Sequence, residues 1–475
     1  MNNPVRTLMQ RCASVIAICA VFALQAAQAQ TPYRSYISGD AADVQTRHRA
    51  GLVLAGGGRD NNNAMRWMLE RADGGDVVVL RTNESDGYND YFFRELGVRV
   101  NSVETLVIPN ATVANIPEIA TKLRAAELVF IAGGDQTQYV NAWRGTPVQE
   151  ALNFLINQKR ITVGGTSAGM AILCGLYYFP RALGVVSAEA LSDPFHRNMR
   201  EIGKQDFLNI PLLRNVLTDT HYDNRERAGR HVAMLARVEA DWNMRAFGIA
   251  CNERTVVCID EQGIGRVFSE SLGQPEAYFL QSNCEFPVRS QEICVAGQRL
   301  TWNRGGRAVK VYKIQGDTTG SRTFNLNDWR TGSGGIWEDW FVEAGELRQQ
   351  AGSPPPCQQN LMTSVMTDAH KVFAHAESAA VLVSPQPAQP HQSVTIALHL
   401  PQSFAAQGVA VQIVNVLGQV VAEYALGGST NVTTPVATVL EWKPSASGVY
   451  VCRLQDNAAG KQQAVSWSRL IVVCE

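Results

Sequence analysis

The pentapeptide Gly165-Thr166-Ser167-Ala168-Gly169 sets one hydroxyl among small residues. It follows a short apolar run, Ile161 to Gly164, that reads as a strand. It precedes a second apolar run, Met170 to Leu173, that reads as the start of a helix. A nucleophile elbow needs this strand–turn–helix context. Small neighbours let the chain reverse sharply and lift the hydroxyl above the sheet edge. The helix N-terminus beneath it favours developing negative charge. Glycine-rich strand-to-helix turns are also ordinary packing devices, so on the motif alone Ser167 is a nucleophile or part of a packing turn.

Gly133-Gly134-Asp135-Gln136 closes the strand before this one. Loops at neighbouring strand ends of a parallel sheet lie side by side, where ligands bind. The amides of Gly134 and Ala168 are therefore candidates for an oxyanion hole, with Gln136 in reach of a substrate; the alternative is a plain strand-to-helix turn. A serine nucleophile needs a base. Of the eight histidines, His221 is the best placed, because Thr218-Asp219-Thr220-His221-Tyr222 follows apolar Val216-Leu217 as the end of a strand. His196 and His231 stand in polar surroundings. Gly248 to Cys251 is an apolar strand followed by Asn252-Glu253. Glu253 fits a carboxylate that orients the imidazole, though the pattern alone favours a solvated charge at a strand end.

These residues need a scaffold. Between residues 51 and 170, short apolar runs alternate with amphipathic ones. Gly51–Ala55, Asp76–Leu80, Val103–Ile108, Leu128–Ala132 and Ile161–Gly164 read as strands. Asn63–Arg71, Tyr88–Leu96, Pro117–Ala126 and Pro147–Asn157 read as helices, and Gly56-Gly57-Gly58 reads as a turn. Continuous apolar strands between helices predict an α/β doubly wound, mostly parallel sheet covered on both faces. Residues 255 to about 350 lose helical periodicity and read as the last core strands plus β-rich elaborations. Ser353-Pro354-Pro355-Pro356 opens a linker. After about residue 380, Val394–Leu398, Val409–Val416, Gln419–Tyr424, Val449–Leu454 and Ser468–Val473 are short strands at regular spacing, which predicts a small β-sandwich.

Taken in order, GGDQ, GTSAGM, the Asp-x-His segment and the GIACNE segment resemble the cyanophycinase and dipeptidase E group of serine peptidases, over roughly residues 50 to 350. The resemblance implies a fold like that of class I glutamine amidotransferases, with serine in place of cysteine. It implies a catalytic triad of Ser167, His221 and Glu253, with no cofactor. It also places Arg225, Arg227 and Arg230 at substrate-binding positions, since the cyanophycinase segment after the triad histidine carries spaced arginines, together with Asp219, which is kept before that histidine. The substrate it implies is a poly-aspartate backbone bearing arginine, or a related aspartyl or isoaspartyl peptide. Thr220 departs from the glutamine that cyanophycinases usually carry, which opens the question of substrate identity. The alternatives are an aspartyl dipeptidase or general acyl hydrolase on the same site, or a non-catalytic surface binding protein.

The C-terminal segments Ser384–Ala388, Val414–Val421 and Ser447–Tyr450 resemble type IX secretion sorting domains, which implies the type IX secretion machinery as a partner and a cell-surface or secreted location. The alternative is a carbohydrate- or protein-binding sandwich. The first 29 residues agree with export: Arg6 and Arg11, an apolar Ala13–Leu24, then Ala27-Gln28-Ala29 make a signal peptide. The expected domains are thus 1–29 signal, 45–350 peptidase, 351–379 linker and 380–475 sandwich. With 42 basic and 43 acidic residues in a chain of 475, the net charge of −1 offers no general attraction to nucleic acid. Of ten cysteines, Cys12 and Cys19 fall in the signal, which leaves eight for disulfides in an exported chain. Cys284 and Cys294 are the nearest plausible pair. No Cys/His spacing suits zinc, so no metal is expected. The oligomeric state is not legible, and a homodimer stays open.

Overall fold

The computed structural model describes residues 33–357 except 84, 182 and 271–275, together with seven strands beyond residue 379. The signal segment and residues 358–379 of the expected linker lie outside the described residues. Two compact units divide at residues 359 and 360.

The first unit is α/β. Its opening strands are β1 (Arg34–Gly39), β2 (Gly51–Ala55), β3 (Asp76–Arg81), β4 (Ser102–Val107), β5 (Leu128–Ile131) and β6 (Thr162–Thr166). β4, β3, β5, β6 and β2 lie side by side in that order, all parallel. Val53, Val77, Val79, Val103 and Phe130 share one core with Met65, Met68 and Leu69 of the helix Asn62–Glu70. The alternate residues Leu54, Leu80, Val129 and Ile131 are equally buried. Burial on both faces is why these strands read as unbroken apolar runs.

The remaining strands of this unit are β7 (Leu176–Tyr178), β8 (Ile202–Lys204), β9 (Val216–Asp219), β10 (Phe247–Cys251), β11 (Val256–Ile259), β12 (Ile264–Phe268), β13 (Glu276–Ser282), β14 (Val309–Gln315), β15 (Thr323–Asn325), β16 (Gly332–Ser333), β17 (Gly335–Glu343) and β18 (Glu346–Ala351). They do not extend one doubly wound sheet. β11, β12, β15 and β16 continue the first sheet beyond β2, beginning with an antiparallel step. The others form a second, eight-stranded sheet in the order β18-β17-β14-β13-β10-β9-β7-β8. Within it β9 and β10 are parallel, with Asp219 opposite Ala250.

The unit also begins earlier than residue 45. Arg34 to Gly39 pairs antiparallel with β4, an edge strand too polar to stand out in sequence. It also runs past residue 350, because Cys284 is joined to Cys357. The expected Cys284–Cys294 pairing is therefore overturned. Cys294 is free and packs against the core of the second sheet. The hairpins β14 to β18 return the chain to bring Cys357, 73 residues away in sequence, to a Cα–Cα distance of 6.1 Å from Cys284.

In the second unit β19 (Ala380–Ser384), β20 (Val394–Leu400) and β23 (Val436–Trp442) form one sheet. β22 (Val420–Ala425), β21 (Val409–Asn415), β24 (Gly448–Asp456) and β25 (Ala464–Val473) form another. Every pairing in these two sheets is antiparallel. Residues 385–388, 416–419 and 447 of the sorting-domain motifs lie outside the described residues.

Candidate active site

Ser167 stands between β6 and a single helical turn, Ala168–Ala171, with φ +53° and ψ −114°. A non-glycine residue rarely occupies this region, and such strain persists only where the surroundings enforce it. Here they do. The Ser167 amide donates to the Ala55 carbonyl of β2 at 2.9 Å. A Cβ on Gly165 would come within 2.6 Å of the Gly169 carbonyl carbon, and one on Gly169 within 2.1 Å of the Ile131 oxygen. Both glycines are thus required by close backbone approach. The helix that follows has only four residues, so the local amides, not a long macrodipole, supply the electrostatics.

The candidate base and its candidate partner come from the second sheet. β9 ends at Asp219 and delivers His221; β10 ends at Cys251 and delivers Glu253. The Ser167 hydroxyl donates to His221 Nε2 at 2.8 Å, and His221 Nδ1 donates to Glu253 Oε1 at 2.6 Å. These two bonds fix the tautomer: Nε2 is the acceptor facing serine. Burial pushes the His221 imidazole below its ordinary pKa of 6.5. The bond to Glu253 opposes this, while Arg225 and Arg227 reinforce it. The imidazole is therefore neutral at rest near pH 7, as a base must be.

Gly56-Gly57-Gly58 turns out to be more than a turn. The Gly56 carbonyl accepts from the His221 amide at 2.8 Å, and the Gly57 carbonyl from the Arg254 amide at 2.9 Å. Gly57 has φ +100°, and a Cβ there would stand 2.5 Å from the imidazole. Gly58 has φ +74°, and its Cβ would stand 3.1 Å from that of Glu253. The loop after β2 is thus a backbone cradle for the His–Glu pair. Its signal was three consecutive glycines at the end of a central strand.

On the other side of Ser167, β5 lies against β6, with Ile131 opposite Gly165. This brings the Gly133-Gly134 loop to the serine: a Cβ on Gly133 would be 3.7 Å from that of Ser167. Tyr139 pins the loop by donating to the Ala132 and Gly133 carbonyls at 2.9 and 3.0 Å. Asp135 caps the helix Gln136–Trp143, which the sequence reading passed over.

A pocket opens beside the hydroxyl. Its lining includes Gly134, Gln136, Ala168, Tyr178, Thr220, Arg225, Arg227 and Arg230, with the Arg230 guanidinium over the Tyr178 ring. The three arginines differ. Arg230 is buried and grips both oxygens of Asp219, at 2.8 and 2.6 Å, and donates to the Val185 carbonyl. Arg227 reaches the Thr220 carbonyl at 2.7 Å and, less closely, the Thr220 hydroxyl and Asp219. Burial lowers the Arg227 pKa to about 10. Arg225 is exposed at the mouth. Asp219 is itself buried, and the attraction of Arg230 and Arg227 outweighs burial to hold it ionised. The carboxylate is engaged internally, so Asp219 orients arginines instead of presenting itself to a ligand. His231 is a core residue bonded to Tyr222 and the Leu217 carbonyl, with its pKa pushed down to about 4 by burial. Among the described residues no group of three or more His, Cys, Asp or Glu is placed to hold a metal ion.

With that geometry in place, comparison with known proteins gives a consistent likeness. Residues 83–177 match the model of peptidase family S51. A cyanophycinase of Synechococcus elongatus is 26% identical over 229 residues, covering 46% of this chain and 65% of that protein. A cyanophycinase of Trichormus variabilis is 25% identical over 171 residues, covering 36% of this chain and 51% of that protein. The chain thus spans between half and two-thirds of the length of these relatives. Among solved structures, a peptidase from an acI-B1 actinobacterium aligns with a TM-score of 0.36 at 16% identity, covering 49% of this chain and 91% of that one.

Proposed function

We propose that this chain is an exported serine peptidase that hydrolyses aspartyl or isoaspartyl peptides, cyanophycin among them. The observation that carries the reading is the continuous path from Ser167 through His221 to Glu253, opening on a pocket with arginines along one wall. The match to peptidase family S51 and the cyanophycinase relatives support the reaction class.

In this mechanism Ser167 Oγ attacks the substrate carbonyl as its proton passes to His221 Nε2. The oxyanion is held by the amides of Gly134 and Ala168. Glu253 stabilises the imidazolium without taking its proton. The imidazolium returns the proton to the leaving amine as the C–N bond breaks, which leaves an acyl-enzyme. Water then repeats the sequence, with His221 again as base, and releases the acid. Arg225 and the free face of Arg227 recognise a substrate carboxylate; Arg230, paired with Asp219, keeps the wall rigid. Gln136, which lines the same pocket, is a further substrate contact. Thr220 is turned to Arg227, so this wall differs from that of the cyanophycinases at the position where they usually carry glutamine.

Export is part of the proposal. The N-terminal 29 residues have the pattern of a signal peptide. The Cys284–Cys357 disulfide suits an oxidising compartment. The antiparallel sheets of residues 380–475 suit a sandwich recognised by the type IX secretion machinery.

The test is hydrolysis by the mature protein of a panel holding cyanophycin, β-aspartyl dipeptides, α-aspartyl dipeptides and a neutral dipeptide. Release of amine from aspartyl members only is expected. Equal turnover of the neutral dipeptide would make the protein a general acyl hydrolase. No turnover of any member, with no acylation of Ser167, would favour a binding protein.

A further inference from the structure

His221 sits in a loop whose internal bonds are short-range turns. Its own φ is +46°, and Glu226 five residues on has φ +47°, both in the left-handed region. The bonds closed within the loop are local: the Arg225 amide donates to the His221 carbonyl at 3.1 Å, the Glu226 amide to the Asp223 carbonyl at 3.0 Å and the Arg227 amide to the Tyr222 carbonyl at 2.9 Å. What ties this loop to the strand end that carries Glu253 is a reciprocal pair. Asn252 Nδ2 donates to Asp223 Oδ2 at 2.6 Å, and the Asp223 amide donates back to Asn252 Oδ1 at 3.2 Å. Asn252 is 6% exposed and immediately precedes Glu253. The Tyr278 hydroxyl of β13 closes the far side, 3.1 Å from each Asp223 oxygen and 2.7 Å from Glu276. Weaker ties run alongside: the Tyr222 amide to the Cys251 carbonyl at 3.3 Å, and the Glu253 amide to Asn224 Oδ1 at 3.4 Å.

From this geometry we infer that Asp223 and Asn252 are positioning residues for the catalytic pair: they set the distance between His221 and Glu253 without touching the substrate. The inference rests on the Ser167–His221–Glu253 mechanism. A carboxylate and an amide meeting at hydrogen-bond distance lock two loops whose mutual position decides a 2.6 Å contact. Displacement of a reacting group by about 1 Å costs on the order of a hundredfold in rate. Asn252 thus does for Glu253 and His221 together what Gly57 does for His221 alone.

The experiment uses the mature protein and a fluorophosphonate probe, which reports activation of Ser167 whatever the natural substrate is. The second-order labelling rate is measured per folded molecule, beside the thermal midpoint. Asn252→Asp sets a second carboxylate against Asp223 and should slow labelling about tenfold or more. Adding Asp223→Asn restores a carboxylate–amide pair with the roles exchanged, and should bring the rate back to within about threefold of wild type. Where Asn252→Asp does not fold, Asn252→Ala carries the same expectation of slowing. A purely structural role would lower the thermal midpoint while each folded molecule labelled at the wild-type rate, and that result overturns the inference. So does slowing that the exchanged pair fails to rescue. Failure of the underlying mechanism looks different: wild type would not label, or Ser167→Ala would label as fast.

Discussion

Replacing Gly57 by alanine puts a methyl group where the imidazole of His221 already is. The built Cβ lies 2.5 Å from both His221 Cε1 and Nε2, and ordinary contact begins near 3.4 Å, so about 0.9 Å must be found. Little can yield on the glycine side. The Gly56 carbonyl is bonded to the His221 amide and the Gly57 carbonyl to the Arg254 amide. The imidazole must therefore move, and it moves away from Ser167 or from Glu253. A displacement near 1 Å is expected to cost on the order of a hundredfold in kcat/KM. The φ of +100° adds strain of about 1–3 kcal/mol to the folded state. Gly58→Ala should be milder, because its Cβ would stand 3.1 Å from a Glu253 carbon, at φ +74°. The assay is kcat/KM on an aspartyl dipeptide, with active sites titrated so that unfolded molecules are not counted, beside thermal melts. Wild-type kcat/KM in the Gly57→Ala protein would refute the claim that this loop holds the base.

Three further outcomes are expected. The rate should depend on a neutral His221, and burial depresses its pKa, so activity present at pH 7 should be lost only as the pH falls through a midpoint below 6.5; a pH–rate profile of kcat/KM whose acid limb lies at or above that value contradicts the proposed base. Arg225→Ala should raise KM for a carboxylate-bearing substrate with little change in melting, whereas Arg230→Ala leaves the buried Asp219 carboxylate with only the longer Arg227 contact and should destabilise by up to about 3–5 kcal/mol, read by denaturant titration of the two proteins. A chain ending near residue 375 should keep the full kcat. Ending it before Cys357 removes a disulfide that spans 73 residues and should cost ~4 kcal/mol, visible in the same titration.

The strands and the elbow could be read because their signals are local. Val53, Val79 and Phe130 are buried with their alternate neighbours, and that double burial writes a continuous apolar run into each strand. Gly165 and Gly169 mark the elbow because backbone approaches within van der Waals contact. Pairings made across long stretches of chain left no such mark. Nothing in Val216–Asp219 or Phe247–Cys251 tells that they lie side by side in a sheet separate from that of Ser167. The helix Gln136–Trp143 has a short apolar face, with only Tyr139, Val140, Ala142 and Trp143 buried, all in its last five residues, too few for the periodicity to stand out. The arginines after His221 stood out by type and spacing, but only the fold distinguishes Arg230, consumed by Asp219, from Arg225 at the pocket mouth. Cys284 was assigned a neighbour by sequence distance, whereas disulfides form by spatial distance, and β14 to β18 carry the chain back to Cys357.

The most direct measurement is to treat the mature protein with a fluorophosphonate, digest it, and locate the adduct by peptide mass spectrometry. The geometry predicts one modified residue, Ser167, and labelling abolished in Ser167→Ala and strongly slowed in His221→Ala while both proteins melt as wild type does. An adduct on another serine, or labelling of Ser167 that is indifferent to the loss of His221, would contradict the assignment of the triad.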